Sequence, residues 1–222
     1  MYTIIIKTLT ILCLTASGLA LPSPIPTDIK RADVLSATAI LEAIAPNSKS
    51  CDGAPVPDEC RTAAQAAGFL PQAFQAYSIY DPAAIAAVLS LIAFESGDFK
   101  YNINHFPGTP GQGTRNMQMA QYNLAYALEV QPDAVRKITT ATSVDGLSPE
   151  QRNAIRDIVT TDEYTWASGA WFFVRYCKDA QDALLKSPSE GYAKYMQCVG
   201  TTMTDERQAY WTRAAAALNV KT

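Results

Sequence analysis

Residues 82–97 read PAAIAAVLSLIAFESG. From Ala86 to Phe94, eight of the nine residues are apolar and the ninth is Ser90. Such a segment has no polar face to offer water, so its reading as a helix predicts one enclosed by the rest of the protein. Asp81-Pro82 supplies an N-cap and a proline at the first helical position, and Gly97 supplies a stop. Glu95 therefore falls where a buried central helix leaves the core. Apolar neighbours, the partial negative charge of a helix C-terminus and unmatched terminal carbonyls all favour its neutral acid form there. The same local sequence also fits a glutamate that simply turns to solvent or pairs with Arg115.

The segments around this helix carry mostly helical signals. Residues 32–45 place Leu35, Ile40, Leu41 and Ile44 at three-and-four spacing before Pro46. Helices are expected over 58–67, 71–80, 117–130, a segment after Pro132, and 162–178. Ser148-Pro149-Glu150-Gln151 and Ser187-Pro188-Ser189-Glu190 read as capping boxes, and Thr204 as the cap of a last helix. Residues 97–116 hold Gly97, Pro107, Gly108, Pro110, Gly111 and Gly113, which predicts a loop or a small irregular β-element. The expected fold is mainly α: a helical domain around a buried central helix, with one irregular insertion.

The chain has 222 residues. Residues 1–20 carry Lys7, an apolar run from Leu9 to Leu14, and small residues at a cleavage point, which is a secretory signal pattern. Residues 21–31 are proline-rich and end in Lys30-Arg31, which reads as a short pro-segment and leaves a single domain over 32–222. Removing Lys7, Lys30, Arg31 and Asp28 from the 18 basic and 21 acidic residues leaves 15 and 20, a net charge near −5. An acidic chain lacks the basic face that nonspecific nucleic-acid binding requires, and no later stretch is apolar enough for a membrane helix. The chain is expected outside the cell, as a monomer.

Five cysteines become four once Cys13 leaves with the signal. In a secreted chain Cys51, Cys60, Cys177 and Cys198 predict two disulfides. Proximity favours Cys51–Cys60 and Cys177–Cys198 among the three possible connectivities. A single histidine, His105, and no paired ligand spacing give no expectation of a metal, and no cofactor is implied.

The segment GTPGQGTRNMQ, residues 108–118, follows Glu95 with glycines that let backbone approach a ligand closely. Arg115, Asn116 and Gln118 add hydrogen-bond donors. Glu95-Ser96 together with Asn116-Met117-Gln118 resembles the motif pair of the lysozyme-like superfamily, especially goose-type lysozymes and soluble lytic transglycosylases. The mature chain resembles secreted fungal lysozyme-like proteins, some of them muramidases. Gly113 stands four residues before Met117, farther than in the transglycosylase element.

That resemblance implies a lysozyme-like fold and a glycoside hydrolase cleaving bacterial peptidoglycan, with Glu95 as general acid. The alternatives are chitin or chitosan cleavage, lytic transglycosylase action, or a catalytically silent glycan-binding protein. Asp98 is a second carboxylate that either assists Glu95 or caps the turn after Gly97. Tyr101, Asn102, Asn104 and Tyr192 are further candidates for binding substrate. His105 is read as structural, and Trp166, Trp171 and Tyr176 as core aromatics or as a cleft lining.

Overall fold

The computed structural model describes residues 36–222. The signal and pro-segment expected over 1–31 lie outside the described residues. In chain order the elements are α1 (Ala37–Ile44), a 3₁₀ turn (Pro46–Lys49), α2 (Ala63–Ala66), α3 (Leu70–Ala76), α4 (Pro82–Glu95), α5 (Ala120–Val130), α6 (Pro132–Arg136), α7 (Pro149–Val159), α8 (Asp162–Thr165), α9 (Ser168–Tyr176), α10 (Lys178–Leu184), α11 (Pro188–Cys198) and α12 (Asp205–Ala217). The fold is mainly helical, with no strand among the described residues.

The apolar segment behaves as its composition requires. Asp81 caps α4 by accepting the Ala84 N–H, and the ten residues Ala83, Ala84 and Ala86–Ala93 are buried. α12 runs along this helix, and α1, α9, α10 and α11 also pack on it. A helix enclosed by five others has its position fixed on every side, so its last residue is fixed as well. No helix among the described residues is long and apolar enough to cross a membrane.

Other boundaries shift from the expectation for local reasons. The helix expected over 58–67 shrinks to α2, because Cys60 is tied to Cys51 and Thr62 and Gln65 form a capping box at the new start. The long aromatic helix expected over 162–178 breaks into α8 and α9. At the break Thr165 Oγ1 donates to Asn102 Oδ1, and Ser168 Oγ donates to Asn116 Oδ1 and to the Thr165 carbonyl. α5 begins at Ala120 rather than 117, since Met117 has φ 48°. Ser148 forms its capping box, whereas Ser187 makes no side-chain cap bond. The 97–119 segment closes through isolated antiparallel bridges, Ile103 to Gly113 and Gly113 to Gln118.

Both disulfides form in the proximal pairing, Cys51–Cys60 and Cys177–Cys198. The second joins the C-terminal ends of α9 and α11. α10 and α11 are packed so closely that a Cβ on Gly191 would lie 2.4 Å from the Leu184 amide nitrogen and 2.5 Å from its Cα. Backbone cannot yield there as a flexible side-chain tip would. Gly191→Ala is expected to destabilise the protein by about 2–3 kcal/mol despite alanine's better helix propensity, read as a lower midpoint in urea unfolding.

Candidate functional site

The end of α4 builds the site. Ser96 is fully buried; its hydroxyl donates to the Ile92 carbonyl at 2.6 Å and accepts the Phe99 N–H at 3.0 Å. The chain then reverses through three left-handed residues, Gly97, Asp98 and Phe99, with φ of 57°, 58° and 67°. Only the first is a glycine, so the other two hold an unfavourable backbone that surrounding contacts must maintain. The Asp98 carboxylate accepts the Asn47 N–H at 3.0 Å and the Tyr210 hydroxyl at 2.6 Å. Phe99 is buried edge-on against Trp166.

Glu95 emerges just before this reversal into a cleft of about 440 Å³. Its lining is mixed: Leu91, Met117, Met119, Tyr122 and Phe172 are among its apolar residues, and Gln112, Asn116, Gln118, Gln121 and Arg207 among its polar ones. A shallower hollow of about 240 Å³ adjoins it, sharing Glu95, Gln112 and Met117 and continuing past Tyr101, Asn104, His105 and Phe106. The carboxyl thus stands between two arms of one groove. Burial pushes the Glu95 carboxyl above its ordinary value, opposed by the hydrogen bond and charge of Arg207. Its Oε1 accepts from Arg207 Nη2 at 3.3 Å, and the Arg207 guanidinium lies 4.4 Å over the Phe94 ring. A separate apolar cavity, lined by Leu41, Leu70, Phe74, Ile79, Ile85 and Leu218 among others, shares no residue with the groove and offers no acid or base of this kind.

The structure sorts the expected site residues into two groups. Tyr101, Asn104, Asn116 and Gln118 line the groove with Glu95. Their amides are already engaged: Asn104 donates to Gln112 at 2.7 Å, Asn116 to Gln118 at 3.2 Å, and Gln118 to Asn123 at 2.8 Å. Asp98, expected as a second catalytic carboxylate, and Asn102, Arg115 and Tyr192, expected to bind substrate, do not line it. Asp98 is held as described above. Asn102 donates to the Thr160 carbonyl and its backbone N–H is accepted by Glu59. Tyr192 is fully buried, stacked on Trp211 at 4.6 Å, and burial pushes its hydroxyl up to about 12.

Arg115 is buried completely. It donates to the carbonyls of Phe99, Tyr101 and Glu59 and lies 4.6 Å over the Trp166 ring. Burial lowers its pKa to about 10. It is a structural pin for the insertion, and Glu95 pairs with Arg207 in its place. Trp166 and Trp171 are core, while Phe172, beside Trp171 in sequence, reaches the cleft.

Sequence reasoning missed Arg207, Gln112 and Glu59. Gln112 sat inside the quoted glycine-rich segment, flanked by Gly111 and Gly113, which was the available signal. Arg207 is 112 residues from Glu95, with nothing local to mark it. Glu59 accepts the N–H groups of Asn102 and Ile103 and bonds His105 Nε2 at 2.8 Å, anchoring the insertion beside the Cys51–Cys60 disulfide. Among the described residues His, Cys, Asp and Glu do not gather in threes as a metal-ligand set.

No family model matches the chain, and no solved structure matches it. A curated relative from Fusarium oxysporum (strain Fo5176), named a bifunctional dioxygenase (DOX)-epoxy alcohol synthase (EAS), is 44% identical over 172 residues. Those residues are 77% of this chain and 13% of the relative, so the chain spans a small part of that protein. The relative corrects the expected activity. Its name is that of an oxygenase and synthase, not a glycoside hydrolase, and the muramidase activity, the glycoside hydrolase class and the peptidoglycan or chitin substrate are set aside on that finding.

Arg115→Met is expected to cost about 3 kcal/mol of unfolding free energy, because three backbone carbonyls lose their donor; an unchanged urea midpoint would contradict the pinning role. Glu95 gives a pH-dependent expectation. Its folded pKa is raised above 4.5, so the folded protein holds the proton more tightly than the unfolded chain. That contribution is fully present below 4.5 and is lost as pH rises through the folded value. Glu95→Gln should therefore melt above wild type near neutral pH, with the gap closing below 4.5.

Proposed function

We propose that the groove is a proton-donating site for a neutral, oxygenated small molecule with an apolar part. The observation that carries this reading is the position of Glu95: a mostly buried carboxyl in a groove lined by both apolar and amide side chains. A carboxyl whose acid form is favoured by burial can give a proton to an oxygen as its bond to carbon breaks, an effect of about 10²–10⁴-fold. The groove's mixed lining suits a ligand that is partly hydrocarbon and partly oxygenated.

The relative's name supplies a compound of that chemistry, an epoxy alcohol. For such a ligand Glu95 protonates the ring oxygen, the carbon–oxygen bond opens, and water adds to the carbon. The proton that water releases restores the acid, and epoxy alcohol plus water becomes a triol. Gln112, Gln121 and Arg207 line the position from which the oxygens would be held.

We infer further that the frame is lysozyme-like in arrangement only, supported by a central helix ending at the acid and an irregular insertion after it. Secretion is part of the same reading, supported by the N-terminal sequence pattern and by two disulfides.

The test is direct. Purified protein is incubated with a long-chain epoxy alcohol from pH 4 to 8, with binding followed by calorimetry and triol formation by mass spectrometry. Wild type is expected to bind and convert it, and Glu95→Gln to bind with conversion reduced at least about 10²-fold. Wild type that neither binds nor converts the compound at any pH would overturn the proposal.

A further inference from the structure

Arg207 belongs to the first turn of α12 and meets Glu95 only because α12 lies along α4. Its guanidinium has three contacts. Nη2 donates to Glu95 Oε1 at 3.3 Å, Nη1 donates to the Thr202 carbonyl at 3.5 Å, and Cζ lies 4.4 Å above Phe94. Phe94 is in turn met edge-on by Tyr210, whose hydroxyl donates to Asp98. The clamp on Arg207 is thus continuous with the left-handed turn that ends α4. Both polar contacts are long for charge-assisted bonds, and Nε is buried without a partner, so this guanidinium is loosely satisfied for one so enclosed. Arg207 also lines the cleft itself, with 17% of its side chain exposed.

We propose that Arg207 is the positioning residue of the groove: held against Phe94, it fixes the Glu95 carboxyl at the centre and competes with a proton or a ligand oxygen for Oε1. The proposal rests on Glu95 being the acid of the site. Two opposed effects then set its protonation, burial favouring the acid and the Arg207 charge favouring the carboxylate. The other ionisable groups facing this pair are Tyr192 and Tyr195 from α11, Tyr122 from α5, and Tyr101 and His105 from the insertion. α4 contributes no further charge of its own. Arg207 is accordingly the one permanent cation among the groups lining the groove on the described residues.

The experiment reads Glu95 directly, without any ligand, by carbon-13 NMR titration of its side-chain carboxyl in the full chain. Arg207→Gln is expected to move the midpoint up by about one pH unit, since an opposite charge this close favours the charged form. Arg207→Lys should return it at least halfway to wild type, which a purely structural role would not require. An Arg207→Gln midpoint equal to that of wild type would overturn the proposal. If Arg207→Gln does not fold, Phe94→Leu leaves both charges and removes the ring on which Arg207 and Tyr210 pack. An upward move there supports the proposal, and an unmoved midpoint overturns it. Because no substrate is present, failure here is distinct from failure of the epoxy alcohol assay.

Discussion

One backbone constraint organises the molecule: the apolar helix α4 must stop inside the protein with its terminal groups satisfied. Ser96 does this with a single hydroxyl, donating to the Ile92 carbonyl and accepting the Phe99 N–H. The three left-handed residues that follow, an exposed Gly97 and the buried Asp98 and Phe99, reverse the chain. Such a turn persists only where neighbours over-determine it, and here they do. Asp98 is bonded to Asn47 and Tyr210, and Phe99 is wedged against Trp166. The acid immediately before the reversal inherits that rigidity.

The insertion depends on the same turn through Arg115. A completely buried guanidinium is costly to desolvate, and this one is compensated by three carbonyls and the face of an indole. Two of those carbonyls belong to Phe99 and Tyr101, on either side of the exit from the turn. The third belongs to Glu59, whose carboxylate receives the N–H groups of Asn102 and Ile103. Arginine rather than lysine suits this position because its planar fork reaches several acceptors at once. What reads in sequence as a ligand-binding cation in a glycine-rich loop is therefore the pin that gives the loop its shape.

The chemistry inferred from sequence was more particular than its physical warrant. A carboxyl whose acid form is favoured by burial at a helix end, facing a polar loop, suits any bond whose breaking needs a proton on oxygen. Nothing in Glu95, Asn116 or Gln118 specifies which oxygen, and the step from acid to peptidoglycan rested on resemblance alone. The Fusarium oxysporum relative carries a different name. Site residues define a class of chemistry well before they define a substrate.

The sequence by itself determined the central helix, its start at Asp81-Pro82, its end at Glu95, and the irregular character of residues 97–116. These follow from local composition, where fourteen residues with almost no polar face admit one environment. Cysteine spacing likewise favoured the two disulfide pairs. Only the tertiary structure decided the counter-ion of Glu95, the role of Arg115, and the break between α8 and α9. Each depends on side chains brought together across long separations: 112 residues for Arg207 and Glu95, 56 for Arg115 and the Glu59 carbonyl, 63 for Thr165 and Asn102. Periodicity records which face of a helix is buried. It does not record what the buried face meets, because that is set by the packing angle and register of elements the local sequence cannot see.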